Sequence, residues 1–143
     1  MSEGKFIVKG NFHGKDKCFP DLNNMISEAC RFPKSYGKYK HEYEAIIINA
    51  IHLGLGRWKP QGRVRIDVIC GEPLHTTKPR DEDNVIGAIR EMSHDALTRA
   101  NIINDDDPSN VKCGYNKVIY TDDTPFFEVH IVEIDGGDSE VTN

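Results

Sequence analysis

The chain has 143 residues, 38% of them hydrophobic, a formal net charge of −5 and four cysteines, which suits one ordinary domain built on a single core. No apolar run is long enough to span a membrane and no charged-then-apolar leader is present, so a soluble, cytoplasmic protein with no membrane partner is expected. Cys18, Cys30, Cys70 and Cys113 form no C-x-x-C pair and match no zinc-finger spacing, which points to free thiols without zinc, Cys70 and Cys113 being buried in strands.

Lys5 to Gly10 reads as an opening strand. The stretch from there to about Ser35 carries Gly14, Pro20, Asn23-Asn24 and Pro33 and reads mainly as loop, although a short helix over 21–32 would place Met25, Ile26 and Ala29 on one side. From Lys38 the spacing of Tyr43, Ile46, Ile47, Ala50 and Ile51 predicts a helix that stops near Gly54 and Gly56. Residues 62–71 alternate, Val64, Ile66, Val68 and Cys70 against Arg63, Arg65 and Asp67, which predicts a half-exposed strand with a basic face.

Pro73 and Pro79 keep residues 72–80 out of a helix interior. Asn84 to Ala100 then sets Val85, Ile89, Met92, Ala96 and Ala100 on a helical stripe, with Asp83 suited to cap it. Two strands follow, 111–120 and 126–134, joined by Thr121-Asp122-Asp123-Thr124-Pro125 as a hairpin connection. The order β-loop-α-β-α-β-β argues for a single small α/β domain over residues 1–135, a mixed sheet with packed helices, and a disordered acidic tail over 136–143.

Charge is distributed unevenly. Residues 1–80 hold 14 Lys+Arg against 8 Asp+Glu, a balance of +6, and residues 81–143 hold 4 against 15, a balance of −11. Such a division suits a protein whose front half meets a polyanion and whose back half holds cations. Lys15, Lys17, Lys34, Lys38, Lys40, Arg57, Arg63, Arg65, Lys78 and Arg80 form the pool for contacts to a DNA backbone.

Two acidic clusters, Asp81-Glu82-Asp83-Asn84 and Asn104-Asp105-Asp106-Asp107-Pro108, flank the second confident helix. Asp81 and Asp83 point the same way where an extended segment enters a helix, and Mg²⁺ characteristically takes one or two carboxylates with water and phosphate oxygens. A helix of about 17 residues, about 25 Å long, separates the clusters, so they meet only if the following chain folds back. Taken singly the acids also fit plainer roles, Asp83 as a cap and 104–107 as a solvated turn. An EF-hand is excluded, because Val85 and Ile86 stand where that loop needs oxygen and glycine. No P-loop, dinucleotide-binding glycine loop or G-x-S-x-G elbow is present.

Lys78-Pro79-Arg80-Asp81-Glu82-Asp83-Asn84, then Asp95-Ala96-Leu97, then Ile103-Asn104-Asp105-Asp106, resemble in order the signature of the RusA family of Holliday-junction resolvases of phages and prophages. Phe19-Pro20-Asp21-Leu22-Asn23-Asn24 and Tyr36 to His41 are similar to the front of that family's Gram-positive branch. The resemblance implies a Mg²⁺-dependent endodeoxyribonuclease, with Mn²⁺ as a substitute, acting as a homodimer on four-way DNA junctions. It implies Asp81, Asp83 and Asp106 as metal-holding catalytic acids, Asp105 or Asp107 being alternatives for the third. The family's lysine falls on Gly87, and Arg90 is the candidate to replace it toward the phosphate. A noncatalytic DNA-binding accessory protein of the same fold is the alternative.

Overall fold

The computed structural model describes residues 2–9, 19–31, 33–34, 36–75, 79–104 and 109–134. Their elements are β1 (Glu3–Lys9), α1 (Leu22–Arg31), α2 (Tyr36–Leu55), β2 (Val64–Pro73), α3 (Glu82–Arg99), β3 (Val111–Thr121) and β4 (Phe126–Glu133). This is the expected small α/β domain, with the short helix over 22–31 formed. The expected tail at 136–143 lies outside the described residues.

One four-stranded mixed sheet runs in the order β1-β4-β2-β3. β4 is antiparallel to β1 and to β2, whereas β2 and β3 are parallel. The expected hairpin between β3 and β4 is therefore not one. Thr121 closes β3 opposite Pro73, and Phe126 opens β4 opposite Gly71, so residues 122–125 arch over the end of β2. Parallel neighbours need a crossover, and α3 supplies it between β2 and β3.

Strand alternation separates the two sheet faces. Phe6 and Val8, Val64, Ile66, Val68 and Cys70, and Phe127, Val129 and Ile131 are buried beneath the helices. From α3 the core receives Val85, Ile89, Met92, Ala96 and Leu97, and from α2 Tyr43, Ile47, Ile51 and Leu55. Each fully buried Val, Leu, Ile, Met or Phe among them contributes roughly 1.5–3 kcal/mol by leaving water. α2 stops between Gly54 and Gly56 as expected; Gly54, in its last turn, lies where α2 crosses β1, and a Cβ there would stand 2.6 Å from the Lys5 carbonyl oxygen and 2.8 Å from the Phe6 Cα. Gly56 supplies the turn, with φ +58.

Three details differ from expectation. Met25 enters the core but Ile26 is 60% exposed, because α1 turns only a narrow stripe inward. Cys70 is buried and Cys113 is exposed, since β3 is the sheet edge. Asp67, placed above on a solvated basic face, is 2% exposed: Arg65 Nε and Nη2 reach its oxygens at 2.9–3.3 Å and the Tyr115 N–H donates to Oδ1 at 3.1 Å. Those bonds satisfy the carboxylate that burial would otherwise strand. No helix among the described residues is long and apolar enough to cross a membrane.

Candidate metal and phosphate site at the head of α3

Pro79 and Arg80 bring the chain in extended form to Asp81, whose φ −62 and ψ 122 make it the N-cap of α3. Its side chain accepts the Asp83 N–H at 2.9 Å. The cap is thus Asp81, not Asp83 as the sequence suggested, because an N-cap oxygen must reach a backbone N–H in the first turn from a non-helical residue. Asp81, Glu82 and Asp83 are all exposed, and the positive end of the helix dipole favours their charge. Among the described residues, Asp81 and Asp83 have no cation partner.

The surrounding acids are engaged. Glu82 accepts the Tyr120 hydroxyl at 2.8 Å, which pushes the Tyr120 phenol above its ordinary value, desolvation adding to the same direction. Glu72, 5% exposed at the end of β2, takes a two-pronged bond from Arg80, Nε to Oε1 and Nη2 to Oε2, both at 2.9 Å. Arg80 Nη1 also stands 3.9 Å from Asp21 Oδ2. Asp21 begins α1 with a reciprocal cap, its Oδ1 accepting the Asn24 N–H at 2.8 Å and its own N–H donating to Asn24 Oδ1 at 3.1 Å. Arg80 therefore ties together β2, α1 and the entry to α3. The D-x-x-N spacing at 21–24 was a readable sign of that cap, whereas nothing local linked Glu72 to Arg80.

Arg90 does not face the Asp81–Asp83 pair. Its Nε donates to Asn116 Oδ1 at 2.8 Å and its Nη2 to the Ile66 carbonyl at 3.0 Å, with the Tyr115 carbonyl at 3.3 Å. These partners surround the register shift between Ile66 and Val68 in the β2–β3 pairing, where carbonyls lose regular ladder partners. Gly87, the position of the absent lysine, faces α1: a Cβ there would lie 2.7 Å from Leu22 Cδ1. A longer side chain at 87 would have to displace Leu22.

Of the other DNA-contact candidates, Lys34 and Lys38 are exposed and Arg63 is half-buried. Lys40 bridges Glu91 at 3.6 Å and Asp95 at 3.3 Å. Arg65 is held by Asp67, whose hydrogen bond raises its pKa further, and Arg80 by Glu72. Lys15, Lys17, Lys78 and Asp106, with Asp105 and Asp107, lie outside the described residues. Of the residues bracketing that acidic triplet, Ile103 bonds back to the Leu97 carbonyl and the Asn110 carbonyl accepts the Val64 N–H. Both belong to the end of α3 and of the sheet opposite Asp81, about 27 Å of helix away.

Exposed, two residues apart and without an ion-pair partner among the described residues, Asp81 and Asp83 fit the one or two carboxylates that Mg²⁺ takes alongside water. No group of three or more His, Cys, Asp or Glu among the described residues is placed to hold a metal ion. No protein-family model and no curated protein matches the chain.

Proposed function

We propose that this protein is a Mg²⁺-dependent, structure-selective endodeoxyribonuclease of RusA type that resolves four-way DNA junctions, as a homodimer. The observation that carries the proposal is the Asp81–Asp83 pair, exposed at the head of α3 and without a cation partner among the described residues, while the neighbouring acids Glu72 and Asp21 are matched by Arg80. Asp81 and Asp83 would hold the metal; because Ile103 and Asn110 lie at the other end of α3, Asp106 as the proposed third acid would have to be supplied by the second protomer of the homodimer. When bound, Mg²⁺ supplies polarisation of the scissile phosphate and a lowered pKa for the attacking water.

The chain's own part is preorganisation. The Asp83 N–H fixes one oxygen of Asp81, and Arg80 fixes the segment that delivers Asp81 to the end of the sheet. Tyr120 orients Glu82 toward β3. Such fixed geometry is what a site must have if the phosphate and the water are to meet in line.

The test is cleavage of a labelled four-way junction by Asp83→Asn. Activity should fall by more than the ~10–100-fold that loss of an outer-shell metal partner costs, while junction binding persists. Undiminished Mg²⁺-dependent cleavage by this variant sinks the proposal.

A second reading, a noncatalytic DNA-binding accessory protein, is favoured by one observation: Arg90, the substitute for the family lysine, is directed into the β2–β3 irregularity. Binding without nicking in both Mg²⁺ and Mn²⁺ would select it.

A further inference from the structure

The helices cover one face of the sheet, and the other face carries an ordered charge pattern that a half-by-half count along the chain conceals. By strand alternation and register, Lys5 and Lys9 of β1 and Lys112 and Lys117 of β3 belong to this second face. All four are exposed and none has an ion-pair partner among the described residues. Two come from the basic front of the sequence and two from its acidic back. The sheet order β1-β4-β2-β3 puts them on opposite edges.

Between the edges the floor carries few charged side chains. Val132 and Phe126 of β4 and Ile69 of β2 are half-buried there. Asp67 is matched by Arg65, while Glu128, hydrogen-bonded to His130 at 2.9 Å, and the exposed Glu3 of β1 are acids of this face, outnumbered by Lys5, Lys9, Arg65, Lys112 and Lys117. Gly71 is bare of side chain because the Phe126 ring lies over it. The acids of α3, in contrast, extend from helices on the other side of the sheet, so a chain of net negative charge still offers a cationic face.

The dimensions select the partner. Edge strands three intervals apart are separated by roughly 14 Å at about 4.8 Å per interval, and the B-DNA major groove is about 12 Å wide. Two rows of flexible lysines at this separation suit two phosphate backbones better than one. We infer that the open sheet face seats a DNA duplex, Lys5 and Lys9 meeting one backbone and Lys112 and Lys117 the other across a groove. The inference rests on the nuclease reading for the duplex being an arm of its substrate, and it assigns recognition to a face and to residues outside the pool named from sequence. Contacts of this kind position the duplex without reading bases.

The experiment is fluorescence anisotropy with the full chain in EDTA, over a salt series, using a labelled duplex, a four-way junction and a single strand of the same sequence. Lys5→Gln/Lys9→Gln and Lys112→Gln/Lys117→Gln are compared with their Lys→Arg counterparts and with the unaltered protein. Each Gln pair should weaken duplex and junction binding roughly tenfold and lower the salt slope by about 1.8, at about 0.9 per lost contact. The Arg pairs should retain both, and the single strand should bind more weakly than the duplex. Circular dichroism should be unchanged, since these side chains are exposed.

An unaltered slope in both Gln pairs overturns the inference, as does a single strand bound as tightly as duplex. So does loss of binding that tracks dissociation of a dimer in sedimentation, which would make this face a contact between copies. A protein that cuts junctions with Mg²⁺ while its Gln variants keep their slope removes the surface alone. One that binds through these lysines without cutting removes the nuclease reading alone. Absence of DNA binding by the unaltered protein removes both.

Discussion

Tyr120 donates its hydroxyl hydrogen bond to Glu82 across 2.8 Å, fastening the end of edge strand β3 to the first turn of α3. The phenol's raised pKa means that the folded state favours its neutral form. The bond's contribution is therefore full below the ordinary tyrosine value near 10 and is lost as pH rises through the higher folded value. Tyr120→Phe should cost about 0.5–1 kcal/mol at neutral pH, the range for a partly solvated bond. In urea titrations the difference from the unaltered protein should vanish in strong alkali.

Asp81 has two separable duties, capping and charge. Asp81→Ala should cost about 1 kcal/mol of stability, as cap removal does, and should also abolish cleavage. Asp81→Asn keeps a good capping oxygen, so its denaturation midpoint should stay close to the original while Mg²⁺-dependent cleavage is lost. Loss of equal stability in both variants would show that the carboxylate's charge, not the cap, supports the helix.

Arg80→Met would leave Glu72 charged, buried and without its fork. Breaking a buried pair in this way costs about 3–5 kcal/mol, and the lower figure is expected because Arg80 keeps some contact with water. Adding Glu72→Gln should recover part of the loss. Chemical denaturation of the single and double variants gives the coupling directly.

Arg90→Met should lower the melting temperature without changing the salt slope of DNA binding, because its guanidinium serves the Ile66 carbonyl and Asn116. At least about 1.5 kcal/mol is expected from losing charged hydrogen bonds. A reduced slope at unchanged stability would return Arg90 to a role at the phosphate.

Much of the fold was legible because its signals are local. The stripe through Val85, Ile89, Met92 and Ala96 defines α3 with no knowledge of what it packs on, and the alternation at Phe127, Val129 and Ile131 does the same for β4. Which strands are neighbours was not legible: Asp122-Asp123 looks like a hairpin turn whether the next strand lies adjacent or one place beyond. The pairing of Asp67 with Arg65 and Tyr115 depends on a register shift that no residue pattern announces. At the candidate site, Asp81 and Asp83 could be read directly, whereas the uses of Arg80 and Arg90 follow from elements distant in sequence.

β4, the last of the described strands, is inserted between β1 and β2, and this sets the order of assembly during synthesis. Until Phe126–Glu133 has left the ribosome, β1 and β2 have no strand to join them, and each presents an open edge to other chains. The helices can form early, but the sheet closes only on the final element. A chain halted at the arch over β2 would be more than a slightly shortened protein: its sheet would be left in two pieces, β1 and the β2–β3 pair, held together only through α2 and α3 and exposed to aggregation.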